Sequence, residues 1–269
     1  MAVIGGSTIA SPANPMIRAA HALLDVRERR STQRFLLEGV KHIHDAIGYG
    51  STIHRLFVHR ERVERTALGR SLLSMIDRLP DLQIVNVNER AISAISDVGT
   101  NQGIVAEMAI PAPPEDPAEM PFLLVLDHVC DPGNMGTIIR SAAACGVVDG
   151  VVVIGGTDPY GPKVVRSSAA ALLFIPIIST MSADCERVLG KRHLIATAID
   201  GATRYDQFEW PDRCGLIIGS EGSGVSSALR DRACASVRIP IAGRTESLNA
   251  GVAASILLFD IARRRTVAR

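Results

Sequence analysis

The chain has 269 residues, a hydrophobic fraction of 47% and a formal net charge of +1. The hydrophobic fraction is ample for packed cores and excludes an intrinsically disordered chain. Aromatic residues make up only 4% of the sequence, which argues against a protein that binds nucleic acid mainly by stacking bases on aromatic side chains.

Charge is unevenly distributed along the chain. Residues 1–70 carry 11 Lys and Arg against 6 Asp and Glu, a net charge of +5. Residues 71–120 carry 2 against 8, a net charge of −6. A basic amino-terminal segment indicates either a polyanionic partner or an ordinary solvated face, and charge alone leaves both open.

Cysteine spacing, histidine spacing and apolar runs each exclude a class of protein. The five cysteines are widely spaced and contain no CxxC pair, so we expect free thiols in a reducing compartment. The histidines have no companion cluster, so no metal is expected. The start lacks the features of a signal peptide, and the charge-free run at 167–183 is too short and polar to span a bilayer. These features predict a cytoplasmic protein without a membrane partner.

The amino-terminal part of the chain alternates predicted helices and strands. This alternation predicts a small α/β domain over residues 1–108. The predicted elements are a helix at Pro15–Asp25 capped by Asn14, strands at 35–39, Leu56–Val58 and Gln83–Val87, helices at Glu64–Arg78 and Arg90–Ser96, and a last strand after Gly103.

An arginine cluster lies between the first predicted helix and the first strand, in VRERRSTQR. Arginine side chains placed there could grip RNA phosphates, or they could form a solubilising loop. The clustering favours RNA. The arginines concerned are Arg27, Arg29, Arg30 and Arg34.

Residues 109–121 hold five of the 14 prolines and show no periodicity, which is typical of a semi-rigid linker. Beyond them, residues 122–269 alternate apolar strands and helices, which predicts a doubly wound, largely parallel sheet. Two predicted strands, Leu216–Ile218 and Val237–Ile241, break into polar, glycine-containing loops. Strand ends of this kind bind ligands in open α/β sheets.

Several familiar motifs are absent from these loops. GSEGSG at residues 219–224 is not a GxGxxG fingerprint, and the chain has neither GxxxxGK[ST] nor GxSxG. A dinucleotide-binding oxidoreductase, a P-loop protein and a nucleophile-elbow hydrolase are therefore disfavoured.

Three motifs in order carry a family resemblance. They are LDHVCDPGNMGTIIRSAAACG, LIIGSEGSGVS and RIPIAGRTESLNAGVAASILLFD. Together they closely resemble the SpoU (TrmH) family of the SPOUT methyltransferases. The segments RSTQRFLLEG and TNQGIVAEM also resemble the family's amino-terminal substrate-binding domain, which is related to RNA-binding ribosomal proteins.

The resemblance implies methyl transfer from S-adenosyl-L-methionine to a ribose 2′-hydroxyl of structured RNA. It favours 23S ribosomal RNA, in a housekeeping or antibiotic-resistance role, over transfer RNA. It also implies a deep trefoil knot in residues 122–269, and a homodimer in which the catalytic arginine reaches the partner's site. A cofactor-binding RNA-binding or assembly factor without transfer activity is the alternative from another class.

The resemblance also assigns the site residues. The positions that match the family's catalytic motifs are Asn134, Arg140, Glu221, Ser247 and Asn249. The positions that match its cofactor-binding strand ends and loops are Thr197, Ala198, Ile218, Gly219, Ile239 and Leu248.

A guanidinium is effectively never deprotonated in a protein. We therefore expect Arg140 to grip the target phosphate and to stabilise developing alkoxide charge. Its alternative is a surface salt bridge. Helix caps are the alternatives for Asn134 and Ser247, and a solvated turn is the alternative for Glu221. Asn249 is expected inside an apolar helix, where a polar residue favours function.

Overall fold

The structure, a computed structural model, describes residues 8–267. They divide into two compact units. The first takes the described chain up to Ile110 together with Tyr160–Arg166, and the second takes Pro111–Pro159 together with the chain from Ser167 onward. The boundaries at residues 108 and 121 stay a prediction.

The first unit has a four-stranded sheet in the order β1-β4-β2-β3. β4 is antiparallel to β1 and β2, and β3 is parallel to β2. The strands are β1 (Arg34–Glu38), β2 (Ile53–Val58), β3 (Ile84–Asn86) and β4 (Ile104–Ala109). The helices that precede the linker are α1 (Pro15–Ala22), α2 (Val26–Thr32), α3 (Val40–Gly48), α4 (Arg60–Val63), α5 (Ala67–Ile76) and α6 (Glu89–Ser93).

Side-chain caps explain where this unit departs from the predicted elements. The first helix ends at Ala22 rather than Asp25, because Asp25 accepts a hydrogen bond from the Arg27 amide and begins α2. The arginine cluster is therefore largely helical, so the alternative of a solubilising loop was wrong. The helix predicted over residues 64–78 spans only Ala67–Ile76, since Thr66 caps α5 through the amide of Gly69, and the short α4 ends before it at Val63.

The second unit contains a seven-stranded sheet in the order β7-β6-β5-β10-β8-β11-β9, with every recorded pairing parallel. The predicted largely parallel α/β architecture is confirmed. The strands are β5 (Phe122–Asp127), β6 (Gly150–Ile154), β7 (Ile177–Thr180), β8 (His193–Thr197), β9 (Thr203–Arg204), β10 (Cys214–Gly219) and β11 (Ala235–Arg238).

The strands that lead into the site are β5, β10 and β11. β5 and β10 are buried at every position, as expected for strands covered on both faces. β11 ends at Arg238 rather than Ile241, because Pro240 has no N–H to donate to a ladder. The polar loop that follows is therefore longer than predicted.

Two helices of the second unit pack closely. α7 (Pro132–Cys145) and α11 (Ala250–Val267) meet at a hydrogen bond of 2.7 Å between the hydroxyls of Ser141 and Ser255. A Cβ on Gly251 would lie 3.1 Å from Cγ2 of Thr137, so the small residue permits the approach. The remaining helices are α8 (Pro162–Ser167), which straddles the division between units, α9 (Cys185–Leu189) and α10 (Ser227–Arg232). Within residues 8–267 no helix has the length and apolar content needed to cross a membrane.

Part of the proline-rich segment is fixed to the second unit by one buried arginine. Arg192 donates to the carbonyl of Met120 at 2.8 Å and to that of Ala118 at 3.0 Å. Burial lowers the pKa of Arg192, with the nearby Arg213 acting in the same direction. The guanidinium holds the entry to β5 in place.

Candidate active site

Three of the predicted catalytic residues meet through their side chains. Nδ2 of Asn134 donates to Oε1 of Glu221 at 2.8 Å, and Nδ2 of Asn249 donates to Oδ1 of Asn134 at 2.7 Å. Asn134 lies in the first turn of α7, Glu221 in the loop after β10, and Asn249 immediately before α11. The structure thus brings one residue from each motif into a hydrogen-bonded chain.

Asn134 is buried within this hydrogen-bonded chain of side chains and does not cap α7. The cap of α7 is Asp131, whose Oδ1 accepts from the backbone amide of Asn134 at 2.7 Å. The alternative of a helix cap for Asn134 was therefore wrong. Both functional ends of the Asn134 amide are occupied by the other two motifs, so this residue links them.

Glu221 lies in a tight turn but is tied to the first motif. Its Oε2 accepts from the amide of Cys130 at 3.4 Å, in addition to the bond from Asn134. Burial alone would raise the pKa of Glu221, but the hydrogen bonds from Asn134 and from backbone amides outweigh it and hold the pKa below its usual range. The side chain is therefore an anchored carboxylate at neutral pH.

The loop that carries Glu221 depends on a glycine at its base. Ser220 and Gly224 exchange two backbone hydrogen bonds of 3.0 Å. A Cβ on Gly219 would lie 2.1 Å from the carbonyl carbon of Gly224, which no side chain tolerates. Gly219 therefore allows the loop to fold back against the end of β10.

Asn249 is the cap of α11 as well as a partner of Asn134. Its Oδ1 accepts from the amides of Gly251 at 2.9 Å and Val252 at 3.2 Å. The expectation that Asn249 lies inside the helix was wrong, since the helix begins at Ala250. The alternative of a helix cap for Ser247 was also wrong. Ser247 is exposed, and its side chain makes no hydrogen bond within residues 8–267.

Arg140 is not part of this hydrogen-bonded chain. It follows Asn134 by six positions along α7, which places it about 9 Å further along the axis and about 120° around it. Its side chain is exposed and forms neither an ion pair nor a hydrogen bond with any residue the structure describes. The alternative of a surface salt bridge for Arg140 therefore does not hold within this part of the chain.

Five of the six predicted cofactor-binding residues lie at the ends of three neighbouring strands or directly after them, and Leu248 lies before α11. Oγ1 of Thr197, the last residue of β8, donates to the carbonyl of Ile217 at 2.9 Å, and the Ala198 amide donates to the carbonyl of Val237 at 3.1 Å. The ends of β8, β10 and β11 therefore lie side by side. Ile218 is 3% exposed, so its backbone rather than its side chain could face a ligand.

Apolar side chains remain exposed beside these polar strand ends. Ile199, just beyond β8, is 69% exposed, and Leu248, just before α11, is 37% exposed. Ile239, which follows β11, is half-buried. Accessible apolar side chains beside the carboxyl ends of parallel strands are typical of the clefts in which open α/β sheets bind small ligands.

The predicted RNA-binding arginines have different surroundings. Arg29 is 4% exposed and donates to the carbonyl of Leu23 at 2.7 Å, so a structural role replaces the predicted phosphate contact. Arg34 pairs with the buried Glu107 at 2.6 Å, and Arg27 pairs with Asp25 at 3.0 Å. Arg27 and Arg30 are exposed.

Sequence reasoning missed two acidic residues that shape the site. Asp131 caps α7, and Asp127, 1% exposed, accepts from the amide of Ser226 and from Nδ1 of His128, each at 2.7 Å. The sequence signal for Asp127 was its position at the end of an apolar run, where open α/β sheets place ligand sites. In residues 8–267 no group of three or more His, Cys, Asp or Glu could hold a metal ion.

Two family models match the chain. The one described as SpoU rRNA Methylase family matches residues 121–259, and the one described as MRM3-like substrate binding domain matches residues 14–106. The first match contains the hydrogen-bonded chain of Asn134, Glu221 and Asn249.

Full-length similarity extends to two curated proteins and a solved structure. The 23S rRNA (guanosine(2553)-2′-O)-methyltransferase RlmP of Bacillus subtilis is 30% identical over 94% of this chain and 98% of its own length. The 23S rRNA (uridine(2479)-2′-O)-methyltransferase of Streptomyces viridochromogenes is 32% identical over 95% of this chain and 92% of its own length. The SpoU methyltransferase AviRb of Streptomyces viridochromogenes, in complex with the cofactor AdoMet, is 29% identical with a TM-score of 0.82, over 95% of this chain and 100% of that one.

Proposed function

Since the chain belongs to the SpoU rRNA Methylase family, we propose that it methylates a ribose 2′-hydroxyl of 23S ribosomal RNA. The resemblance predicted from the three motifs is thereby confirmed, and so is the prediction of a methyltransferase. The observation that carries the proposal is the hydrogen-bonded chain of Asn134, Glu221 and Asn249. Ribosomal RNA is favoured over transfer RNA because both full-length curated relatives described above are named for 23S rRNA.

S-adenosyl-L-methionine is the proposed methyl donor, as AviRb was solved with it. The residues present fit this cofactor, since the ends of β8, β10 and β11 offer backbone groups beside Ile199, Ile239 and Leu248. Its sulfonium supplies an electrophilic methyl group. Thr197, Ala198, Ile218 and Gly219 would hold its adenosine through the backbone.

The chain's own residues then have to align the acceptor hydroxyl. Glu221 has a lowered pKa and is a weak base, so we assign it to holding Asn134 and Asn249 rather than to accepting the hydroxyl proton. Ser247, exposed beside this cluster, is left to contact the substrate. The guanidinium of Arg140 would bind the phosphate next to the target ribose and stabilise charge that develops on the ribose oxygen.

A homodimer belongs to the same proposal. Val252, Ile256 and Phe259 recur at helical spacing on α11, and Val252 and Phe259 are 47% and 51% exposed. An apolar stripe on a helix whose other face packs on α7 supports a protein partner. The exposed Arg140 on α7 would then reach the site of the second subunit.

The domain roles and the knot are proposed alongside. Residues 1–108 would bind the RNA, and residues 109–121 would link them to the second domain. Residues 122–269 would form the methyltransferase domain, which would contain a deep trefoil knot. The substrate-binding family model over residues 14–106 supports the first role. The contact of Asn249 with Asn134 supports a last helix held against the start of the fold. A cytoplasmic location is proposed with them, and the five free cysteines agree with it.

The proposal is tested by methyl transfer to RNA from a strain that lacks this gene. Tritium-labelled S-adenosylmethionine should label 23S rRNA, and mapping of 2′-O-methylation should find one nucleotide that is modified only when the enzyme is present. Label in transfer RNA instead would show that the substrate is a transfer RNA. Cofactor binding without label in either RNA would favour the non-catalytic RNA-binding factor.

A further inference from the structure

The first unit contains a cavity of about 300 Å³ that the proposed mechanism does not use. Every residue that lines it belongs to this unit, and most lie within residues 14–106, which the substrate-binding family model matches. A volume of this size is at the small end of small-molecule sites. The cavity therefore suits one ring system rather than an extended ligand.

Apolar side chains form part of the cavity wall, and polar and charged side chains form the rest. Leu36, Ile95 and Val165 are buried, and Leu24 and Val98 are half-buried. Such walls favour a flat, weakly hydrated ligand. The positions of the polar groups then determine which ligand of this kind the cavity can bind.

Glu38, the last residue of β1, presents a half-buried carboxylate to the cavity. Its Oε1 accepts from the hydroxyl of Ser96 at 2.7 Å. Burial raises the pKa of Glu38, although Ser96 and the amide of Asp97 act in the opposite direction. A carboxylate has room for about four hydrogen bonds, so a ligand that donates N–H groups would satisfy its remaining capacity.

The charges around the cavity argue against an anionic ligand. Glu38 and Asp97 are acidic, and Lys41 and Arg166 are basic. Nη1 of Arg166 is already paired with Asp97 at 2.7 Å, and Nζ of Lys41 with Asp45 at 2.8 Å. A phosphate would therefore meet two carboxylates and no unpaired lysine or arginine among the residues that line the cavity. A neutral ligand with donor groups fits this balance better.

We propose that this cavity takes an unpaired guanine of the RNA substrate, with Glu38 accepting from the N1–H and the exocyclic amine of the base. The inference rests on the proposed function, which makes RNA the substrate. Guanine is the base that presents two adjacent donors to a carboxylate, and single-stranded RNA is read through unstacked bases in such pockets. Gln102 accepts from the amide of Val40 at 2.8 Å. Its Nε2 has no hydrogen-bond partner in the described chain, and it would donate to O6 of the base.

The test compares the binding of two short oligouridines, one carrying a single guanosine and the other an inosine, which lacks only the exocyclic amine. Binding is measured by fluorescence anisotropy with the full chain and without cofactor. The wild-type chain should bind the guanosine oligomer about tenfold more tightly, since a hydrogen bond to a charged group is lost with inosine. Glu38→Gln should remove this preference, and Thr100→Trp, which places a ring at the rim of the cavity, should weaken binding of the guanosine oligomer.

Glu61→Gln is the matched control, because Glu61 is an exposed carboxylate of the same unit outside the cavity. It should keep the full preference, and thermal unfolding should show all variants folded. Equal binding of the two oligomers by the wild type, no binding of either, or an unchanged preference in Glu38→Gln would overturn the guanine site. Because this assay omits the cofactor, absent methyl transfer would count against the proposed function alone.

Discussion

Asn249 donates a hydrogen bond of 2.7 Å to Asn134, 115 residues earlier in the chain. The same side chain accepts from the first amides of α11, so one residue both starts the last helix and fastens it to the first motif. Its Oδ1 caps α11, and its Nδ2 binds Asn134 in the site. Substitutions that separate the two atoms should therefore separate stability from activity.

We expect Asn249→Ala to lower the free energy of unfolding by about 1–2 kcal/mol, since a cap is lost and the Asn134 oxygen loses its donor. Methyl transfer should be lost as well. Asn249→Asp should keep the cap and most of the stability but lose transfer, because a carboxylate cannot donate to Asn134. Urea unfolding and labelled-methyl transfer measure the two effects. Ser247→Ala is the stability control, and if it proved as destabilising as Asn249→Ala, the assignment of the cap would be wrong.

Arg140→Ala should change the free energy of unfolding by no more than about 0.5 kcal/mol, because the side chain is exposed and makes no bond with the described residues. Transfer should nevertheless be abolished while cofactor binding, measured by calorimetry, is kept. Arg187→Ala on α9, another exposed helical arginine, should leave transfer intact. Loss of cofactor binding in Arg140→Ala would contradict the role assigned to it.

Mixing Arg140→Ala and Asn249→Asp protomers tests whether Arg140 acts across a dimer. Each protomer alone should be inactive. The mixture should regain part of the activity, since some heterodimers combine an intact arginine with an intact cofactor site. A mixture as inactive as its components would place Arg140 in its own subunit's site.

Glu221 should make stability depend on pH. Its pKa is lowered in the folded chain, so the ionised form is favoured by folding. The stabilisation is present above the ordinary carboxyl value and is lost as pH falls through the lowered folded value. Urea midpoints of the wild type and Glu221→Gln should therefore converge on acidification and separate as pH rises to neutrality. A constant difference over that range would show that the hydrogen bonds at Glu221 do not distinguish its two protonation states.

Sequence alone predicted the architecture where the signals were local. The alternation of apolar strands and helices after residue 121 was enough to predict the largely parallel sheet. Sequence alone failed where the role of a side chain depends on hydrogen bonds that only the folded chain reveals. Asn249 reads as a polar residue within an apolar run, and its role as a cap depends on a helix start that Leu248 and Ala250 do not mark. The burial of Arg29 likewise depends on the carbonyl of Leu23, which no charge count reveals.

Gly219→Ala provides the sharpest test of the loop after β10. A Cβ at this position would meet the carbonyl carbon of Gly224 at 2.1 Å, whereas a Cβ on Gly222, three residues on, meets nothing within 4 Å. Because the obstruction is backbone, the loop must move, and we expect Gly219→Ala to lower the free energy of unfolding by about 1–3 kcal/mol and to weaken cofactor binding at least about tenfold. Gly222→Ala should preserve both properties. Calorimetric titration with S-adenosylmethionine and urea unfolding of the pair give the comparison, and equal behaviour of the two variants would mean that the approach of Gly224 to β10 is not needed for the cofactor.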